Sequence, residues 1–189
     1  IGRIGEHQGQ LFDSEQGDDF DGFSSQRKSE YASGRRVAHE ALKLLSGKSA
    51  AVTREGRMPE WPAGYRGSIS HSREFAIAMV ASTRRCQAIG LDVVQKNAVS
   101  AKVGARIMLA EELLPPWGLI DTDWRAIVFG AKESVYKAVH PEIGEFLEFH
   151  DVEIKMSESD RSFTAATVED GPSTAVVRAG IGFVSDFED

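Results

Sequence analysis

Trp124, Ile127, Val128, Ala131, Val135 and Val139 recur at three- and four-residue intervals. That is the helical period, and it predicts one long amphipathic helix from about Thr122 to Val139. The helix must bury its stripe, so the rest of the chain has to supply a cover. His140-Pro141 is expected to end it, and Pro115-Pro116 to stop a preceding helix over 100–114. Tyr31, Ala38, Leu42 and Leu45 mark a third helix, about Gln26 to Leu45, with Ser24 and Ser25 as candidate caps and Gly47 as its terminator.

The cover reads as strands. Ala76–Ala81 is apolar enough to be buried on both faces, and Cys86–Val94 reads as a second strand after a turn at Ser82–Arg85. Shorter strands are expected at about 149–156, 162–168 and 174–184. Thr53–Gly67, with its glycines and prolines, reads as a loop, and residues 1–26 as a loose arm. Helix, strands, helices, strands is the order of an α+β protein. It divides into residues 1–95, with the basic helix and a Ser-His loop, and 96–189, with the Lys-Glu helix and the terminal strands.

Several classes fall away. Apolar runs such as Ala76–Ala81 fall far short of the roughly 20 residues of a membrane span. No basic-then-apolar leader opens the chain. The single cysteine, Cys86, excludes a disulfide framework or a multi-cysteine zinc site and suits the reducing cytoplasm. A net charge of −7 argues against a nucleic-acid binder. The charge is uneven, however. Residues 27–66 carry nine Lys and Arg against four acids, which suggests a localised anionic ligand or a solvated helix face. No Walker loop, phosphate-binding G-x-G-x-x-G or G-x-S-x-G elbow is present.

Four places carry chemistry. Asp92 sits in the apolar run Ala88–Val94, where an ionised carboxylate needs a partner or a metal unless it reaches solvent at a strand end. Glu133 and Lys137 project from the side of the long helix opposite its stripe. They are either a solvated i,i+4 pair or a hard-cation ligand beside a phosphate-binding lysine. Gly64–Ser72 offers hydroxyls and the His71 imidazole to an anion. Arg27, Lys28, Arg35 and Arg36 line the basic helix and Arg57 follows it, and Arg forks suit phosphate. Two carboxylates for Mg²⁺ and several cations for phosphates are the equipment of a phosphoryl-type transferase on a polyphosphorylated nucleotide.

In order along the chain stand Gly34-Arg35-Arg36-Val37-Ala38-His39-Glu40-Ala41-Leu42, Trp61–Gly64 with Gly67–Ser72, Gly90-Leu91-Asp92, and Phe129–Ala138 with its Lys132-Glu133-Ser134-Val135-Tyr136-Lys137 core. Phe149–Val152 fits the strand that follows. Together they resemble the 4′-phosphopantetheinyl transferases, specifically the enterobactin-synthesis type within the surfactin-type group, over roughly residues 27–156. The resemblance implies transfer of the phosphopantetheine arm of coenzyme A to a serine of an acyl or peptidyl carrier protein, releasing 3′,5′-ADP. It implies a monomer of two similar α/β halves about a pseudo-twofold axis. It makes Asp92 and Glu133 the Mg²⁺ ligands, Glu133 also a candidate base for the carrier serine, and Lys137 the neutraliser of phosphate charge. It assigns Ser70, His71, Arg27, Lys28, Arg35, Arg36, Arg57, Lys132 and Lys137 to coenzyme A.

One departure stands out. The family's second carboxylate, two residues after the first Asp, is Val94 here, with Gln95 next. Strand alternation would set Val94 on the same face as Asp92, so a water fills that place on the ion or Gln95 reaches it from a bulge. The alternatives are a homologue that holds coenzyme A or a carrier protein without transfer, and a plain α+β interaction domain.

Overall fold

Ser24 opens the first long helix by accepting the Arg27 N–H on its hydroxyl (3.2 Å), and Gly47, at φ +79°, closes it by donating to the Lys43 carbonyl (2.8 Å). The computed structural model describes residues 1–5, 11–17, 19–115, 121–144, 146–157, 159, 161–178 and 180–185. The chain divides into two compact units, Ile1–Val93 and Val94–Asp189. Among the described residues, no helix is long and apolar enough to cross a membrane.

In the first unit, β1 (Gly2–Arg3) precedes two short 3-10 turns, the helix α1 (Ser25–Ser46) and a small hairpin of β2 (Thr53–Glu55) and β3 (Met58–Glu60). The strands β4 (Tyr65–His71) and β5 (Phe75–Ser82) form the main hairpin, and β1 joins the far edge of β5, all antiparallel. Ala38 and Leu42 of α1 pack with Val52 on Trp61, Tyr65, Ile69, Ala78 and Val80. This unit corrects four readings. Thr53–Gly67, read as a loop, holds the β2–β3 hairpin and the start of β4. The arm supplies β1, so it is not wholly irregular. Within Gly64–Ser72, Tyr65–His71 is a strand, although the glycines and hydroxyls read as a loop. Gly67 is small there because a Cβ would come within 2.4 Å of the Met79 carbonyl and 2.6 Å of the Trp61 ring. Cys86–Val94, read as a strand, pairs with none. Two of its N–H groups find side chains instead, Leu91 on Ser68 Oγ (3.1 Å) and Val93 on Ser70 Oγ (3.3 Å).

In the second unit, α2 (Ala101–Ile107) ends at Met108, and a 3-10 turn at Ala110–Glu112 replaces the expected continuation to 114; Pro116 lies outside the described residues. Then come α3 (Asp121–Ile143), a 3-10 turn at Phe149–Asp151, β6 (Val152–Ser157), β7 (Ser162–Thr167), α4 (Thr174–Arg178) and β8 (Gly182–Phe183), the strands antiparallel in the order β6-β7-β8. So the stretch read as a strand at 174–184 opens with the helix α4, and only Gly182–Phe183 of it is strand. α3 runs past Pro141, and Gly144 closes it by donating to the His140 carbonyl (2.8 Å). Of its stripe, Trp124 and Val128 pack with Val99, Ile107 and Met108, and Ala131 with Val152, Ile154 and Phe163, while Ile127 and Val135 are partly buried; Ala126, off the stripe, is buried in the first cluster too. Val94 packs against the first of these clusters, which gives its apolar side chain a structural task.

Each unit contains the same device. Glu15, in a 3-10 turn, accepts the Phe12 N–H (3.0 Å) and the Val52 N–H (2.7 Å) on its carboxylate, meets His39 Nε2 at 2.6 Å, and accepts the Tyr31 hydroxyl on its carbonyl (2.8 Å). Glu112, also in a 3-10 turn, accepts the Leu109 N–H (2.8 Å) and the Ile154 N–H (2.7 Å), pairs with Lys132 Nζ at 2.7 Å, and accepts the Trp124 indole N–H (2.6 Å). Tyr31 precedes His39, and Trp124 precedes Lys132, by eight positions on one helix. Buried carboxylates are costly unless fully paired, and these two tie a turn, a long helix and a following segment together. Burial by itself would raise the Glu15 carboxyl, but His39 and the Val52 and Phe12 N–H donors outweigh it and hold the carboxyl below its ordinary value.

Candidate functional site

The two faces of β4 have different tasks. Ser68 and Ser70 alternate with Ile69 and His71, so they project to opposite sides of the sheet. Ser70 Oγ donates to Asp92 Oδ1 at 2.7 Å, and both serines are buried. Asp92 is half-buried, on an extended segment held by these hydroxyls. On the other face, Ile69 and His71 line a cleft of about 740 Å³ within the first unit, a usual size for a small-molecule site.

Four arginines line that cleft, Arg27, Arg35, Arg54 and Arg57, against two carboxylates, Asp19 and Glu30, with Phe23 and Tyr31 as aromatic wall. Arg35 is 6% exposed, lies 4.4 Å over the Tyr31 ring and donates to the Thr53 carbonyl (3.2 Å). Its buried Nε has no hydrogen-bond partner among the described residues, and neither has that of Arg54. The buried Nε atoms of Arg36 and Arg66 are in the same position outside the cleft lining, so the spare donor alone does not mark the site; at Arg35 and Arg54 it stands inside a cleft, where an anion or water can take it. Arg54 pairs with Asp19, donates to the Gly56 carbonyl (3.1 Å) and lies over the Phe23 and Tyr31 rings. Arg27 is 3.9 Å from Glu30. Arg57, exposed, stands at the β2–β3 turn, where Gly56 takes φ +58°.

So the cleft gathers Arg27, Arg35, Arg57 and His71 of the expected set and adds Arg54, which sequence reasoning missed. The signal was there: Arg54 lies three residues before Arg57 in the same basic stretch. Three expected contacts lie elsewhere. Lys28 stands by Asp21 (3.9 Å) and over Phe20. Arg36 pairs with Glu40 at 2.9 Å under Gly2. Neither lines the cleft. Ser70 lies on the opposite face of β4, and its single proton goes to Asp92.

The second unit carries Glu133 and Lys137 on α3, both half-buried. Glu133 lines a small pocket of about 110 Å³ with Tyr136, Phe146, Leu147, Phe149 and Val152. Lys132 departs from expectation. Its ammonium is buried and gives its three protons to Glu112, the Ile107 carbonyl (2.9 Å) and the Phe149 carbonyl (2.8 Å). No donor is left for a phosphate. Burial pushes this ammonium below its ordinary value, and Glu112 reverses that only in part.

The donors offered to a metal, Asp92 in the first unit and Glu133 in the second, are hard oxygens, the chemistry of Mg²⁺ rather than of zinc. Among the described residues, no three of His, Cys, Asp and Glu gather at one place.

Residues 22–81 match the family model of the 4′-phosphopantetheinyl transferase N-terminal domain, and residues 88–179 that of the 4′-phosphopantetheinyl transferase superfamily. The chain is 33% identical over 152 residues to the 4′-phosphopantetheinyl transferase Svp of Streptomyces mobaraensis, covering 77% of this chain and 61% of that protein. It is 34% identical over 126 residues to enterobactin synthase component D of Salmonella typhimurium, covering 59% and 48%. It is 27% identical over 147 residues to the 4′-phosphopantetheinyl transferase PptT of Mycobacterium tuberculosis, covering 76% and 65%. The chain thus spans about half to two thirds of the length of these curated relatives.

Proposed function

The chain belongs to the 4′-phosphopantetheinyl transferase superfamily, and from that premise we propose that it transfers the 4′-phosphopantetheine arm of coenzyme A to a serine of an acyl or peptidyl carrier protein. The observation that carries this reading is the arginine cleft, with the spare donor on buried Arg35. Arg27, Arg35, Arg54, Arg57 and His71 are the phosphate contacts, over an aromatic wall suited to the adenosine end.

Asp92 and Glu133 would hold Mg²⁺, which when bound offsets charge on the diphosphate. The carrier serine oxygen forms a bond to the phosphorus that bears the pantetheine arm, and the diphosphate P–O bond breaks. 3′,5′-ADP leaves with that electron pair. Glu133 accepts the serine proton, and Lys137 faces the charge that develops on the phosphate oxygens. The apolar pocket beside Glu133, walled by Tyr136, Phe146, Leu147 and Phe149, suits the uncharged arm.

The proposal includes two similar halves about a pseudo-twofold axis. The matched Glu15 and Glu112 devices support it, and Glu133 follows Lys132 as Glu40 follows His39. It takes the protein as a monomer of the reducing cytoplasm, which its free Cys86 suits. Val94 at the usual second-carboxylate position favours a second reading, a homologue that binds coenzyme A without transfer. Intact mass of an apo carrier after incubation with coenzyme A and Mg²⁺ tests both. A gain of one phosphopantetheine is the expected result. Unchanged mass, with coenzyme A bound, selects the second reading.

A further inference from the structure

We infer that Ser68 and Ser70 form a hydroxyl rail that sets the register and aim of the Asp92 carboxylate, so that Ser70 is a positioning residue for that carboxylate. The inference rests on the proposed role of Asp92 as a metal ligand.

The spacing makes the case. Ser68 Oγ accepts the Leu91 N–H and Ser70 Oγ accepts the Val93 N–H. Both sets are two residues apart, and both increase in the same direction, so the segment 91–93 runs parallel to β4 with matched rungs. In extended chain that interval is roughly 6.6 Å. Side-chain hydroxyls accept these two N–H groups, and a hydroxyl can do what a carbonyl cannot. After accepting from Val93, Ser70 still has a proton, and it donates that proton to Asp92 Oδ1 at 2.7 Å. One side chain therefore fixes the backbone on one side of Asp92 and the carboxylate itself. Ser68 fixes the backbone on the other side. Both serines are about 95% buried, so water does not replace the bonds cheaply.

The same geometry accounts for a Ser-His pair in adjacent positions. Alternation sends Ser70 to the Asp92 side of β4 and His71 to the arginine cleft. One strand thereby serves the carboxylate and the anion site at once. A slip of one residue would exchange the two.

Hydrogen exchange of the metal-free chain tests the rail without any activity. Ser70→Ala should speed exchange of the Val93 amide, Ser68→Ala that of Leu91, and Ser70→Thr, which keeps the hydroxyl, should restore Val93 protection. Second, the Mg²⁺ concentration that gives half-maximal thermal stabilisation in the presence of coenzyme A should rise roughly 10- to 100-fold in Ser70→Ala, the usual effect of removing a ligand's hydrogen-bond partner. In carrier loading, saturating Mg²⁺ should recover most of kcat, with KM for coenzyme A little changed. Unchanged Val93 exchange in Ser70→Ala overturns the rail. So does a raised KM for coenzyme A at unchanged Mg²⁺ requirement, the signature of a direct contact. If Ser70→Ala fails to fold, Ser68→Ala decides: faster Leu91 exchange with a raised Mg²⁺ requirement supports the rail, and neither change overturns it. If the wild-type chain loads no carrier, the transfer reading fails, while exchange and thermal stabilisation still judge the rail.

Discussion

Glu112 and Lys132 form an ion pair of 2.7 Å in which both side chains are almost fully closed to solvent. The pair ties the 3-10 turn before α3 to the helix one residue ahead of Glu133, so its value is architectural. Removing one partner leaves an uncompensated buried charge, which typically costs about 3–5 kcal/mol. Lys132→Ala and Glu112→Ala should each lower stability by that order in urea unfolding. The double variant should lose clearly less than their sum. Additive losses would show that the two do not act as a pair.

Glu15 predicts an acid limb to stability. Its folded carboxyl lies below the ordinary value of 4.5, so the unfolded chain binds the proton more readily. The stabilisation is therefore complete above about pH 4.5 and is lost as pH falls through the folded value. Glu15→Gln should be less stable at neutral pH and should show a shallower fall in Tm on acidification. An equally steep fall in both proteins would exclude Glu15 as the source.

The cleft separates the arginines into two groups. Arg35→Ala and Arg57→Ala should raise KM for coenzyme A roughly tenfold or more, the equivalent of about 1.5 kcal/mol for a lost charged hydrogen bond. Lys28→Ala and Arg36→Ala, which lie outside the cleft, should leave it nearly unchanged. The reverse order would place the phosphates elsewhere.

Gly67→Ala should destabilise the first unit by about 1–3 kcal/mol, because the new methyl meets the Met79 carbonyl and the Trp61 ring. A thermal melt checks this, and an unchanged Tm would mean that Trp61 does not rest on β4.

The helices were the legible part of the fold. The Trp124–Val139 stripe and the Ser24 and Gly47 caps are local signals, and local signals decide helices. β4 was hidden because Gly67, Ser68 and Ser70 are chosen for what approaches them, a ring on one side and a hydroxyl-bound segment on the other. Ala88–Val94 misled in the opposite sense: its apolar content is that of a strand, but two of its N–H groups bond to serines. The carboxylates, Arg35, Arg57 and His71 stood in recognisable motifs. Lys132 could not be sorted from Lys137 by sequence, since only the position of Glu112 in space makes one structural. Arg54 was legible as a member of the basic stretch that holds Arg57, and only its pairing with Asp19 needed the structure.

The central claim is transfer of the arm with Glu133 as proton acceptor. Intact mass spectrometry of an apo carrier protein, incubated with coenzyme A, Mg²⁺ and either wild type or Glu133→Gln, tests it most directly. The account predicts one phosphopantetheine added by the wild type and a rate at least roughly 100-fold lower for the variant. A carrier left unmodified by the wild type, or loaded as fast by Glu133→Gln, would contradict it.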